Sequence, residues 1–130
     1  MAMRSGLVYG VGGLRAAARG DRIVWALHRA ALSSDIVPVV PVGAMAEAFR
    51  TEGRGDRLES LLCGAVVEPL GPERARIVGE LAARADTPDL VAVSTAEVAS
   101  RRNCAVVASR QNALKAAAGL LGHDLVLHAV

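Results

Sequence analysis

The sequence predicts an α/β domain in which a mainly parallel sheet of about five strands lies between two layers of helices. Three observations predict it. Short apolar runs rich in β-branched residues recur at residues 7–11, 36–40, 65–68, 104–108 and 125–130. Segments of helical periodicity separate them, in the order β-α-α-β-α-α-β-α-α-β-α-β. The strand runs are close to continuously apolar, as expected of strands covered on both faces.

Each element follows from local chemistry. Residues 7–11 are strand formers, and Gly10, Gly12 and Gly13 close the run. These glycines read as the means of a sharp turn. Residues 13–19 form a short helix closed by Gly20, and Asp21 caps a clearer helix. On that helix Val24, Trp25, Leu27 and Leu32 make the inner side, with Arg22, His28 and Arg29 opposite. Ser33, Ser34 and Asp35 break it. Residues 36–40 form a buried strand, although Pro38 argues against a fully hydrogen-bonded central position. Pro41 suits the first turn of the next helix, which runs to Thr51 with Val42, Met45, Ala46 and Phe49 at helical spacing. Asp56 starts a helix whose Leu58, Leu61 and Leu62 face inward, and residues 65–68 follow as a brief strand. A helix over residues 72–85 carries Ile77, Val78 and Leu81 inside. Thr87, Pro88 and Asp89 lead into a helix to about Arg101. Residues 104–108 are a buried strand, Asn112 opens a helix through Leu121 that Gly122 stops, and residues 125–130 end the chain as a strand.

The 130 residues make one domain, 1–130, with a real core. At 52% hydrophobic and 22% charged the composition is globular. Trp25, Tyr9 and Phe49 are its only aromatics, so base stacking on aromatic platforms is not expected. A net charge of +2 predicts modest nonspecific affinity for nucleic acid. Cys63 and Cys104 lack a paired spacing, which argues against zinc and for reduced thiols in a cytoplasmic protein. No apolar run reaches the ~18 residues of a membrane span, and no signal-peptide pattern opens the chain. His28, His123 and His128 show no metal spacing and read as surface or packing residues. A dinucleotide loop after the first strand fails because Arg15 holds the third glycine position.

In parallel sheets, sites form outside the carboxyl ends of the strands. That rule points to Gly10 and Gly12, to Glu47 on the helix after the second strand, and to Ser109 and Arg110. Asp89 begins the helix before the fourth strand. These local patterns, taken in order, resemble a PIN domain of the bacterial VapC toxin type over residues 7–130. Leu7-Val8-Tyr9-Gly10 resembles that family's first strand, which normally ends in Asp. Arg19-Gly20-Asp21 resembles a segment soon after it. Val39-Val40-Pro41-Val42 followed by Glu47 resembles its second strand and Glu-bearing helix. Thr87-Pro88-Asp89-Leu90-Val91-Ala92 resembles a stretch that usually ends in Asp, and Val106-Val107-Ala108-Ser109-Arg110 a strand that normally finishes Thr-Ser-Asp.

The resemblance implies a three-layer αβα PIN-like fold and a site where acidic side chains hold Mg²⁺ or Mn²⁺ to cut RNA. A hard cation takes oxygen ligands and keeps waters, one of which it activates. Position by position, Glu47 retains the family's Glu and Asp89 an acidic residue near the site. Gly10, Ala92 and Arg110 stand where carboxylates are lost. Glu47 and Asp89 are thus the remnant catalytic site, and the metal ligands if any metal binds. The resemblance further implies an antitoxin partner, RNA and a homodimer. The leading expectation is a catalytically degenerate toxin–antitoxin-type protein without a cofactor, in which Arg110 pairs with Glu47 or Asp89 in place of a metal, its planar fork gripping a carboxylate. One alternative is an active Mg²⁺-dependent endoribonuclease using Glu47, Asp89 and Asp86 or Ser109. Another is a small-molecule or nucleotide site open beside Gly12.

Overall fold

Val8, Val39 and Val106 lie side by side at the centre of a five-stranded parallel sheet, Val8 in register with both of the others. The structure, a computed structural model, describes residues 6–130. Its elements in chain order are β1 (Leu7–Tyr9), α1 (Val11–Ala18), α2 (Arg22–Ser33), β2 (Val39–Pro41), α3 (Val42–Glu52), α4 (Asp56–Cys63), β3 (Val66–Glu68), α5 (Pro72–Arg84), α6 (Leu90–Arg102), β4 (Ala105–Ala108), α7 (Asn112–Leu120) and β5 (Leu127–Ala129). The strand order is β3-β2-β1-β4-β5, every pair parallel. The expected α/β class, element order and three layers are present.

Strand side chains alternate between faces, and each face has its own core. Leu7, Tyr9, Val40, Ala105 and Val107 point into one, shared with Leu14 of α1, Val24 of α2, Ala44 and Ala48 of α3, and Leu58 and Leu61 of α4. Val8, Val39, Val106 and Ala108 point into the other, shared with Val78 and Leu81 of α5, Val93 and Ala96 of α6, and Leu114 of α7. Each fully buried leucine contributes about 1.5–3 kcal/mol relative to exposure. Helix α6 is buried without a break from Ala92 to Ala99, between the sheet and its neighbours.

Several local expectations are corrected. The second strand is shorter than residues 36–40, because Val37 is exposed and Pro41 ends the strand instead of entering α3. Val11 starts α1, so β1 stops at Tyr9. On α2, His28 is inside and Leu32 outside, the reverse of the expected sides. The Tyr9 hydroxyl lies 2.9 Å from His28 Nδ1, and the Trp25 ring meets the imidazole edge-on. A hydrogen-bond partner across the core is what admits His28, expected on the outer side, to the interior. On α3 the buried stripe is Ala44 and Ala48, small residues that let the helix approach the sheet, while Val42 is exposed. Asp21 does cap α2, accepting from the Ile23 and Val24 amides at 2.9 and 3.1 Å.

Candidate functional site

Connections after β1 build the sheet in one direction and β4 with β5 extend it in the other, so the topological switch point lies between the carboxyl ends of β1 and β4. A ligand crevice is expected there. Helix α1 fills it instead. The Gly10 amide donates to the Val107 carbonyl at 2.9 Å, and α1 starts at once. A Cβ on Gly12 would collide with Ser109, and one on Gly13 with the Val107 carbonyl. At Gly10 it would stand 2.8 Å from the Ala108 Cβ and 3.6 Å from Thr95. Neither Gly10, Gly12 nor Gly13 adopts positive φ. Their role is therefore close approach of helix to strand, not the sharp turn that the sequence predicts for them.

Beside Gly12 and Ser109 a hollow of about 480 Å³ stays open, walled by Arg15, Arg19 and Asp21, where the sequence offered a small-molecule or nucleotide site as an alternative. Between Gly10, Asp89, Ala92, Thr95, Ala108 and Leu114, among others, there is only a cavity of about 20 Å³. That is room for about one water. It brings together four of the sequence-predicted positions, Gly10, Gly12, Ala92 and Asp89. Asp89, its acidic member, caps α6 by accepting from the Ala92 amide at 3.0 Å, while its own amide donates to Thr87 Oγ1 at 3.1 Å. The carboxylate thus has a structural task, favourable beside the helix N-terminus.

Glu47 is elsewhere engaged. Arg50, one turn along α3, donates to it through Nε at 2.7 Å and also through its terminal nitrogen. That hydrogen bond, aided by the charges of Arg50 and Arg15, outweighs desolvation and holds the Glu47 carboxyl below its ordinary value. Glu52 is treated alike by α1: Arg19 grips both of its oxygens at 2.8 and 3.1 Å, and Arg15 Nε lies 3.6 Å away. The expected pairing of Arg110 with Glu47 or Asp89 does not occur. Arg110 is exposed, has no ion pair among the described residues, and lines a cavity with Lys115 and His123 between α7 and β5. Its position past the end of β4 carries it toward α7, whereas α3 carries its own arginine for Glu47.

Neither magnesium nor manganese fits the groups present. Among the described residues no three His, Cys, Asp or Glu side chains converge to hold a metal ion. The cavity beside Asp89 is not lined by Glu47 and is too small for a cation that keeps several waters.

Two features were not singled out from the sequence. One joins three elements through charge. Glu97, buried on α6, accepts from Arg101 Nε at 3.1 Å and Arg74 Nη1 at 3.4 Å, and Glu68 at the end of β3 accepts from Arg101 and Arg102. Burial disfavours the Glu68 carboxylate, yet the two guanidiniums together hold its pKa below the ordinary value. The Glu97–Arg101 spacing of four is legible on a helix; the reach to Glu68 is not. The other is a groove of about 790 Å³ between α2 and α4, lined by Arg22, Trp25, Arg29, Arg57 and Ser60, with one carboxylate, Asp56, among them and Gly20 at its end. Arg22, Arg29 and Arg57 have no ion pair among the described residues. Arg22 and Arg29 are seven apart on one helix face, a signal the sequence carries; Arg57 joins them only through folding. No helix of the described residues is long and apolar enough to cross a membrane. No protein-family model matches the chain, and no curated protein matches it.

Proposed function

We propose that the chain is a VapC-like PIN domain of toxin–antitoxin type that acts by binding RNA and no longer cuts it. The observation that carries this reading is the filled space between Gly10, Asp89 and Ala92: α1 packs into the place where a metal-dependent nuclease needs a hydrated cation, the two remnant carboxylates are spent on a helix cap and on Arg50, and neither of them lines the hollow that stays open beside Gly12. The groove between α2 and α4 supports RNA as the ligand. Three guanidiniums without carboxylate partners suit a phosphate backbone, which Arg grips through paired donors. With a net charge of only +2, such affinity depends on where charge is left unpaired, not on its total.

The test is fluorescence anisotropy of a labelled single-stranded RNA, run beside a cleavage assay with Mg²⁺ or Mn²⁺. Replacing Arg22, Arg29 and Arg57 together by Gln is expected to weaken binding at least about tenfold and to lower the salt slope by about 2, three phosphate contacts on a single strand. No cleavage is expected. Metal-dependent cleavage that vanishes in Glu47→Gln would establish the active endoribonuclease instead. Unchanged RNA binding in the triple variant would remove RNA from the groove.

A further inference from the structure

The cavity that Arg110 lines has a volume of about 250 Å³ and lies in the helix layer opposite the α2–α4 groove. Lys115, Ala118 and Gly119 present one face of α7 to it. Leu125 and Leu127, half-buried against the core, supply an apolar side, and His123 completes the wall. Arg110 and Lys115 are both exposed, and neither has an ion pair among the described residues.

Gly119 is the second observation. Its φ is not in the left-handed region, and a Cβ built there meets no atom within 4 Å. Neither backbone conformation nor packing requires glycine, and glycine weakens a helix. Gly79 of α5 is equally unconstrained, so the glycine alone assigns no ligand; at position 119 the missing side chain leaves one wall of the cavity open.

Two unmatched cations on the rim of an apolar hollow complement an anion with an apolar body. We propose that this cavity binds a small organic carboxylate with a short aliphatic body. The carboxylate lies against Arg110 and Lys115, and the body against Ala118, Leu125 and Leu127. The volume falls just below the usual range of ligand pockets, about 300–1,000 Å³, which suits an acid of a few carbons and not a polymer. The site does not depend on the RNA reading, since it shares no residue with that groove.

Hexanoate is the probe, titrated into the ¹⁵N-labelled full chain and followed by amide chemical shifts. Hexanol lacks the charge and acetate lacks the body. Saturable shifts confined to residues 110–127 are expected with hexanoate, with both controls binding at least about tenfold more weakly. Replacing Arg110 and Lys115 together by Gln, two exposed positions, is expected to weaken hexanoate by about tenfold or more. Gly119→Leu is expected to abolish binding with an unchanged or raised melting temperature, a pairing that a merely structural glycine does not produce. The proposal is overturned by absence of saturable shifts with hexanoate, by equal binding of hexanol or acetate, or by full binding in Gly119→Leu.

Discussion

Gly10 faces Ala108 so closely that a Cβ at position 10 stands 2.8 Å from that of its neighbour. The position where the resemblance expects a catalytic carboxylate takes no side chain unless Ala108 and its strand shift. Gly10→Asp is therefore expected to destabilise the fold by about 2–4 kcal/mol, from overpacking and from a charge placed in the core. It is not expected to confer Mg²⁺ binding. Urea unfolding with and without the cation checks both; a variant of unchanged stability that gains a metal-dependent midpoint would refute the packing account.

Asp89 offers a sharper contrast between cap and ligand. Asp89→Ala is expected to cost about 1 kcal/mol, the worth of an N-cap, and Asp89→Asn or Asp89→Ser to restore most of it. Thermal melts of the three variants decide the matter. Were the carboxylate needed for a metal, the neutral caps would not rescue the metal-dependent property.

Tyr9 and His28 make the stability depend on pH at both ends. Burial first, and the Arg29 charge second, push the His28 pKa below its ordinary value, so the folded state holds the neutral ring. The unfolded chain takes up a proton near pH 6.5, about the free histidine value. Stability is therefore full above that pH and falls as pH drops below it toward the folded value. Burial raises the Tyr9 pKa, so its contribution is full below about pH 10 and is lost as pH rises further. Urea midpoints at pH 5, 7.5 and 10.5 test this, and His28→Gln is expected to flatten the acid limb. Tyr9→Phe is expected to cost about 1–3 kcal/mol by leaving the His28 ring nitrogen without its partner.

Glu97 is the buried carboxylate of the α6 network. Its side chain is 6% exposed, whereas Arg74 and Arg101 are 41% and 30% exposed. The arginines have a route to water when their partner is removed, so Glu97→Ala is expected to cost about 1–2 kcal/mol, less than breaking a fully buried pair. Glu68→Gln, at an edge strand, is expected to cost less. Denaturation in low and high salt separates the ionic part, which falls as screening rises.

The fold was legible because its signals are local. The apolar runs around Val8, Val39, Val106 and Leu127 mark strands, Asp21 marks a cap, and Gly122, at φ 69°, marks a stop. Misreadings came where tertiary contact overrode pattern. His28 is buried because Tyr9 and Trp25 receive it, and Leu32 is outside because Ala31 takes the inner place. At the site, Glu47, Asp89, Gly10, Ala92 and Arg110 were identifiable as positions, but which of them meet was not. Gly10, Ala92 and Asp89 share a cavity; Glu47 and Arg110 go to other neighbours.

The sequence alone determined the α/β class, the order of the elements and the supply of charge, because periodicity and capping act over a few residues. Tertiary structure alone decided which charges cancel between elements, beyond the local pairs Glu47–Arg50 and Glu97–Arg101. Whether a guanidinium finds a carboxylate depends on the packing of elements far apart in the chain. Packing engages Arg15 and Arg19 with Glu52 and leaves Arg22, Arg29, Arg57 and Arg110 facing water, while Arg50 meets Glu47 within α3.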